Sequence, residues 1–149
     1  MAITRETFPL PDVDDPLVAP FFAAAARDEL RISHCGACAR FVWYPAPSCP
    51  TCGGPLDWVP VSGNGRLFTW VVVRRAFLPA FESMVPFVTA LIALDEDPAV
   101  RLCSYLVGVD DPATLEADAP VEVEFHDLTF ATVPGHSVRV PMFRLRDAR

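Results

Sequence analysis

Two short cysteine pairs, Cys35-Gly36-Ala37-Cys38 and Cys49-Pro50-Thr51-Cys52, constrain this chain more than any other feature. Each C-x-x-C sets two thiols on one tight turn, and ten residues separate the pairs. Two such knuckles offer four soft ligands to one ion, which suits tetrahedral zinc, with iron as the alternative. A site of four thiolates is closed: it organises a fold and has no open position at which to activate water. Pro50, Gly53 and Gly54 bring the turn chemistry of a knuckle, because glycine accepts φ > 0 without steric cost. The competing assignment is two disulfides. Met1 to Leu10 lacks the apolar stretch of a secretory signal, and cytoplasmic chains seldom keep disulfides. The reading is therefore a cytoplasmic chain with a structural zinc on Cys35, Cys38, Cys49 and Cys52. His34 adjoins the first knuckle but is surplus to a completed ligand set. Cys103 lies in the mostly apolar run from Val100 to Val107 and is expected to be a buried, inert thiol.

A chain of 149 residues makes one compact unit, or a domain with a small appended module. Its 52% hydrophobic content is enough for a real core. No apolar run reaches the roughly 18–20 residues of a membrane span. The net charge of −7 argues against a sequence-independent binder of phosphate backbones, which needs a basic face. That exclusion matters because zinc ribbons and small β-barrels often serve nucleic acids.

Residues 1–13 read as an extended arm. Pro20 is awkward inside a helix, so the N-terminal helix is expected to begin near it and run to about Asp28, with one turn before. Phe21 and Phe22 are adjacent and point about 100° apart. A helix apolar over that much of its surface is normally covered on more than one side, and a second subunit is one way to cover it. Between the knuckles, Phe41 to Pro47 is aromatic and proline-broken and should pack over the metal site. Strands are expected at 56–61, 66–77, 86–94, 100–107, 121–130 and 138–145. Their Val, Ile, Phe, Trp and Thr content and the turns between them carry this reading. Val121, Val123 and Phe125 alternate with Glu122, Glu124 and His126, which gives one buried and one wet face. Consecutive strands with short connections suggest a small closed barrel, OB-like in preference to SH3-like. The expected fold is mainly β. The N-terminal arm and helix take residues 1–29, the zinc ribbon 30–55 and the barrel 56–149.

The knuckles are followed by Ser62-Gly63-Asn64-Gly65, the aromatic-rich strand from Arg66 to Val73, then Val85-Pro86-Phe87-Val88 and Ala119-Pro120-Val121. In this order the chain resembles, over nearly its whole length, the acyl-CoA-associated domain of unknown function 35 family. The resemblance implies a rubredoxin-like zinc ribbon joined to an OB-fold. It also implies an accessory subunit that helps hold acyl-CoA thioesters while a thiolase-like partner supplies the catalytic residues, and hence a hetero-oligomer.

The residues themselves offer no catalytic set. His34, His126 and His136 stand outside any G-x-S-x-G, H-E-x-x-H or phosphate-loop pattern. His126 and Asp127 are strand neighbours and point to opposite faces. A ligand surface is the better candidate. Arg74 and Arg75 can fork onto phosphate or carboxylate groups, and Trp70, Phe77 and Phe81 can cover an adenine or an acyl chain. The bland alternatives are core packing for the aromatics and a solvated strand end for the arginines. The leading function is thus an accessory subunit of a thiolase-type or thiolase-like aldolase complex. The alternatives are a nucleic-acid-binding OB-fold or zinc-ribbon module, and a stand-alone acyl-CoA enzyme.

Overall fold

The computed structural model describes residues 7–147. Helix α1 (Ala19–Ala25) carries Pro20 in its first turn, where the missing N–H would have had no partner in any case. Its N-cap, Val18, gives no side-chain cap. The turn before it closes instead on the Asp15 carbonyl, which accepts from the N–H groups of Val18 and Ala19 at 3.0 and 2.8 Å. The helix stops earlier than its sequence suggests because residues 26–29 form a Schellman-type end. There Asp28 takes φ 59°, and the N–H groups of Asp28 and Glu29 bond back to Ala25 and Ala24. Buried Ala24 and Ala25 carry no bulk, which lets α1 lie close against the first and last strands.

β1 (Arg31–Cys35) and β2 (Leu56–Pro60) form an antiparallel pair that brackets the knuckles, with Cys35 opposite Leu56. The strand at 56–60 therefore joins the ribbon, whereas the expectation put it in the barrel. The reason is local: the second knuckle turns the chain back beside β1. β3 (Asn64–Val73), β4 (Phe87–Leu94), β5 (Arg101–Leu106), β6 (Pro120–Leu128) and β7 (Val138–Leu145) close into a barrel of order β3-β4-β5-β7-β6. This is the five-stranded OB arrangement. Its weakest seam is β5 to β7, a parallel contact with one register pair, Leu106 with Phe143.

Gly63 and Gly65 explain the Ser-Gly-x-Gly signature. Gly63 has φ 82°, and a Cβ there would collide with Val123. A Cβ on Gly65 would lie 2.5 Å from the Ala93 carbonyl oxygen. Ser62 accepts from the Asn64 N–H at 3.1 Å, and its own N–H donates to Glu96 at 2.6 Å, pinning this turn to the β4–β5 connection.

Ile32, Leu67, Ile92, Leu94, Val121 and Phe143 lie at the centre of the main core. Leu30 and Ile32 come from the ribbon side, so ribbon and barrel share one core. A smaller core of Leu10, Ala80, Phe130 and Val133 ties the N-terminal segment to two barrel connections. The helix phenylalanines are only partly as expected. Phe21 and Phe22 touch edge-to-face, with ring centroids 5.3 Å apart and ring planes at 88°. Phe21, however, packs on Trp43 and Trp58 at 5.4 and 6.4 Å, so the chain's own ribbon covers it and no second subunit is needed there.

Candidate metal centre and ligand surface

The two knuckles repeat one backbone pattern. In the first, the Cys35 N–H donates to Arg40 O and the Ala39 N–H to Cys35 O, both at 2.8 Å. In the second, the Cys49 N–H donates to Gly54 O at 2.9 Å and the Gly53 N–H to Cys49 O at 2.8 Å. The fourth residue after each leading cysteine is left-handed in both, Ala39 at φ 59° and Gly53 at φ 74°. These turns bring all four sulfurs within 4.8 Å of one another, with Cys35 to Cys52 at 3.5 Å and Cys38 to Cys49 at 3.7 Å. A tetrahedral zinc with Zn–S bonds of about 2.3 Å needs sulfur edges of roughly 3.8 Å. The donor set fits that ion. Gly54 lies in the same crowded space: a Cβ there would sit 3.2 and 3.3 Å from the sulfurs of Cys52 and Cys35.

The electrostatics agree with a cation site. The Cys38 and Ala37 N–H groups hold the Cys35 thiol below its ordinary range against the effect of burial. Those of Cys52 and Thr51 draw Cys49 down to about 6. Burial pushes Cys38 up to about 12. The Gly54 N–H pulls Cys52 down, but the neighbouring Cys35 sulfur and burial outweigh it, and Cys52 is raised. Four sulfurs this close cannot all ionise unless a cation balances them.

Val42 packs on Cys35 and Cys49 as the inter-knuckle reading expects. Trp43 does not: it turns away to α1 and the main core. His34 stacks edge-on with Phe41 at 4.9 Å and is not part of the cluster. Cys103 corrects its expectation. It is exposed on the outside of the barrel, because period-2 alternation sends Leu102 and Leu106 inward. His126 bonds to Glu124 at 3.0 Å, while Asp127 pairs with Arg139, so these strand neighbours do diverge.

Of the candidate ligand residues, Trp70 lies within β3 and Arg74, Arg75 and Phe77 follow it. Arg74 and Arg75 are exposed after β3, and among the described residues neither has a carboxylate partner. Phe77 is 86% exposed, with the Arg75 guanidinium 5.9 Å from its ring centroid. Trp70 is half-buried against the main core. The structure thus pairs Arg75 with Phe77, sets Arg74 beside them in the chain, and keeps Trp70 mostly inside. Sequence reading missed a cleft of about 570 Å³ between the N-terminal segment, α1 and the β5–β7 seam. Its walls come from segments far apart in the chain, and no local pattern announces it.

Family comparisons match this architecture in both halves. Residues 22–58 match the ChsH2 rubredoxin-like zinc ribbon domain and residues 58–126 the ChsH2 C-terminal OB-fold domain. A solved chain described as Ltp2-ChsH2(DUF35) aldolase is 31% identical, with a TM-score of 0.76 over 91% of this chain and 98% of that one. The chain belongs to the ChsH2 family of DUF35 proteins. A DUF35-family protein of unknown function from Sulfolobus solfataricus shares the fold, with 14% identity and a TM-score of 0.55 over 89% of this chain and 87% of that one. A probable enoyl-CoA hydratase alpha subunit of Thermomonospora curvata is 36% identical over 107 residues, 70% of this chain. This DUF35 chain spans about a third, 32%, of that relative's length. The four cysteines are the structural zinc site of its ribbon domain. Among the described residues no helix is long and apolar enough to cross a membrane.

Proposed function

We propose that this DUF35 chain is a cytoplasmic accessory subunit of an acyl-CoA enzyme complex, bound to a thiolase-type or thiolase-like aldolase partner that supplies the catalytic residues. The observation that carries the reading is the end-to-end likeness to the ChsH2(DUF35) chain of the Ltp2-ChsH2 aldolase. The likeness to a probable enoyl-CoA hydratase subunit supports the same acyl-CoA chemistry. The closed four-sulfur site is consistent with it, because such a metal stiffens a scaffold and leaves chemistry elsewhere. The chain's part is to hold the thioester. Phe77 offers an exposed ring for the adenine, and Arg74 and Arg75 reach the phosphates. The test is co-purification of the tagged chain from its native cells, with mass spectrometry of what stays bound. A thiolase-like protein in near-stoichiometric amount, with aldol cleavage or acyl transfer lost when this chain is left out, is the expected result. Recovery of the chain alone with full acyl-CoA turnover, or recovery with nucleic acid, would overturn the reading.

A further inference from the structure

Two clefts meet at Tyr105. The larger, about 570 Å³, opens beside the β5–β7 seam and is walled by Phe22, Trp43, Tyr44, Leu102 and Phe143. The seam opens there because Pro141 of β7 has no N–H to give; its carbonyl instead accepts the Ser104 hydroxyl at 3.1 Å. The smaller cleft, about 350 Å³, is bounded by Val72, Met84, Val107 and Met142. Tyr105 lines both, and its ring packs on Phe87 at 5.4 Å. Val72 and Phe87 both line the smaller cleft, and Arg74 follows Val73, the register partner of Phe87.

Charge divides this path. Asp15 lines the larger cleft, while the exposed Arg74 and Arg75 follow Val73, whose register partner Phe87 lines the smaller one. Asp110 borders the smaller cleft. A CoA thioester is divided in the same way, with its phosphates at one end and an uncharged acyl group at the other. The larger cleft has the size of ordinary small-molecule sites, roughly 300–1,000 Å³. We propose that it holds the apolar acyl group of the thioester, with the chain of the ligand passing Tyr105 from the arginine corner. This rests on the CoA reading above and adds what that reading lacks, a place for the acyl group on this chain. Burial pushes the Tyr105 hydroxyl above its ordinary range, so it stays a hydrogen-bond donor at neutral pH on that path.

Cys103 lines the larger cleft and is the one cysteine of five outside the metal set, which makes it a reporter. The zinc-loaded chain is treated with a chromogenic aromatic disulfide, with Cys103→Ser as the blank. Free CoA, acetyl-CoA, hexanoyl-CoA, decanoyl-CoA and 1-decanol are the added ligands, and affinities are read by calorimetry. Decanoyl-CoA should slow Cys103 labelling by about tenfold or more, and affinity should rise by about fourfold for each added methylene until the cleft is full. Free CoA should bind and leave the labelling rate unchanged. Cys103→Trp, which fills the cleft from an exposed position, should weaken decanoyl-CoA by about tenfold and leave free CoA and zinc content as they are. Binding of free CoA with no effect of acyl length and no protection overturns the acyl cleft and leaves the CoA reading standing. Protection by 1-decanol with no binding of any thioester overturns the CoA reading and with it the acyl assignment, leaving an apolar-ligand site. Absence of protection by every ligand overturns the cleft outright.

Discussion

Arg139 on β7 donates to Asp28 at 2.6 Å from Nε and to Asp127 at 3.2 Å from Nη1. Asp28 is the left-handed residue that ends α1, so this one guanidinium ties the helix end to the outside of the barrel. The hydrogen bond from Arg139 holds the Asp28 carboxyl below its ordinary value of 3.8. A carboxylate with a depressed folded-state pKa adds stability above its unfolded value and loses it as pH falls through the folded one. The tie should therefore hold at neutral pH and fade below about pH 4. Both carboxylates are exposed and Arg139 is half-buried, so the effect is small. Arg139→Ala should lower Tm slightly at pH 7, and the gap from wild type should close below pH 4. A pH series of thermal melts, with Asp28→Asn alongside, measures it. A gap that persists at pH 3 would mean that Arg139 acts through packing and not through charge.

Ala39 occupies the place in the first knuckle that Gly53 fills in the second. A left-handed residue with a Cβ costs roughly 1–2 kcal/mol, and glycine there gives back part of the gain through its freer unfolded chain. Ala39→Gly should stabilise the zinc-loaded chain by about 0.5–1 kcal/mol. Gly53→Ala should destabilise it by a similar amount. Chemical denaturation of the two variants checks both signs together.

The legible parts of the fold were those written in local sequence. Cys35, Cys38, Cys49 and Cys52 announce their site because knuckle ligands are spaced along a single segment. The alternation from Val121 to Phe125 showed which face of β6 turns inward. The partner of β2 was not legible, because pairing with β1 is decided across the knuckles. Cys103 was misplaced because an apolar run hides its period: its neighbours Leu102 and Leu106 face the core and it does not. Ala39 carries no signal of its left-handed backbone, since alanine is ordinary in turns and helices alike. The large cleft joins residues as distant as Asp12, Trp43 and Tyr105, which only the closed barrel brings together.

Gly65 is fixed by close packing more than by backbone freedom. An added Cβ would meet the Ala93 oxygen at 2.5 Å and Ile92 Cγ2 at 2.9 Å, both on β4. Backbone on a paired strand cannot step aside, so Gly65→Ala should cost about 2–3 kcal/mol, at the upper end for overpacking. Denaturant unfolding gives the value. The zinc content should stay at one per chain, because the strain falls in the barrel.

Removal of the metal should reach beyond the ribbon. Leu30 and Ile32 flank and form β1, and both belong to the core shared with the barrel. Loss of the ion leaves four crowded sulfurs without their cation and frees β1 and β2. Chelation should therefore lower the Tm of the whole chain in one transition, without a separate melting of the ribbon. Cys49→Ser should do the same. Zinc binding releases protons from thiols, so acidification should weaken it, and the chelator should act faster at pH 6 than at pH 8. Two resolved transitions in calorimetry would show that the shared core is too weak to couple them.

The arginine corner makes the most direct functional prediction. Arg74 and Arg75 are exposed, lie outside the cores and have no carboxylate partner among the described residues. Their removal should leave the fold unchanged. If they carry the phosphates of a CoA thioester, Arg74→Ala with Arg75→Ala should weaken its binding by about tenfold or more, since each forked contact with a phosphate is charge-assisted. The loss should shrink as salt is raised, because the same ions screen the wild-type attraction. Phe77→Ala should weaken binding without changing its salt dependence, because a ring face contributes through stacking. Titration of the zinc-loaded variants with a CoA thioester at low and high salt separates these two effects. Unchanged affinity in the double arginine variant would remove the corner from the ligand site and return both residues to a solvated strand end.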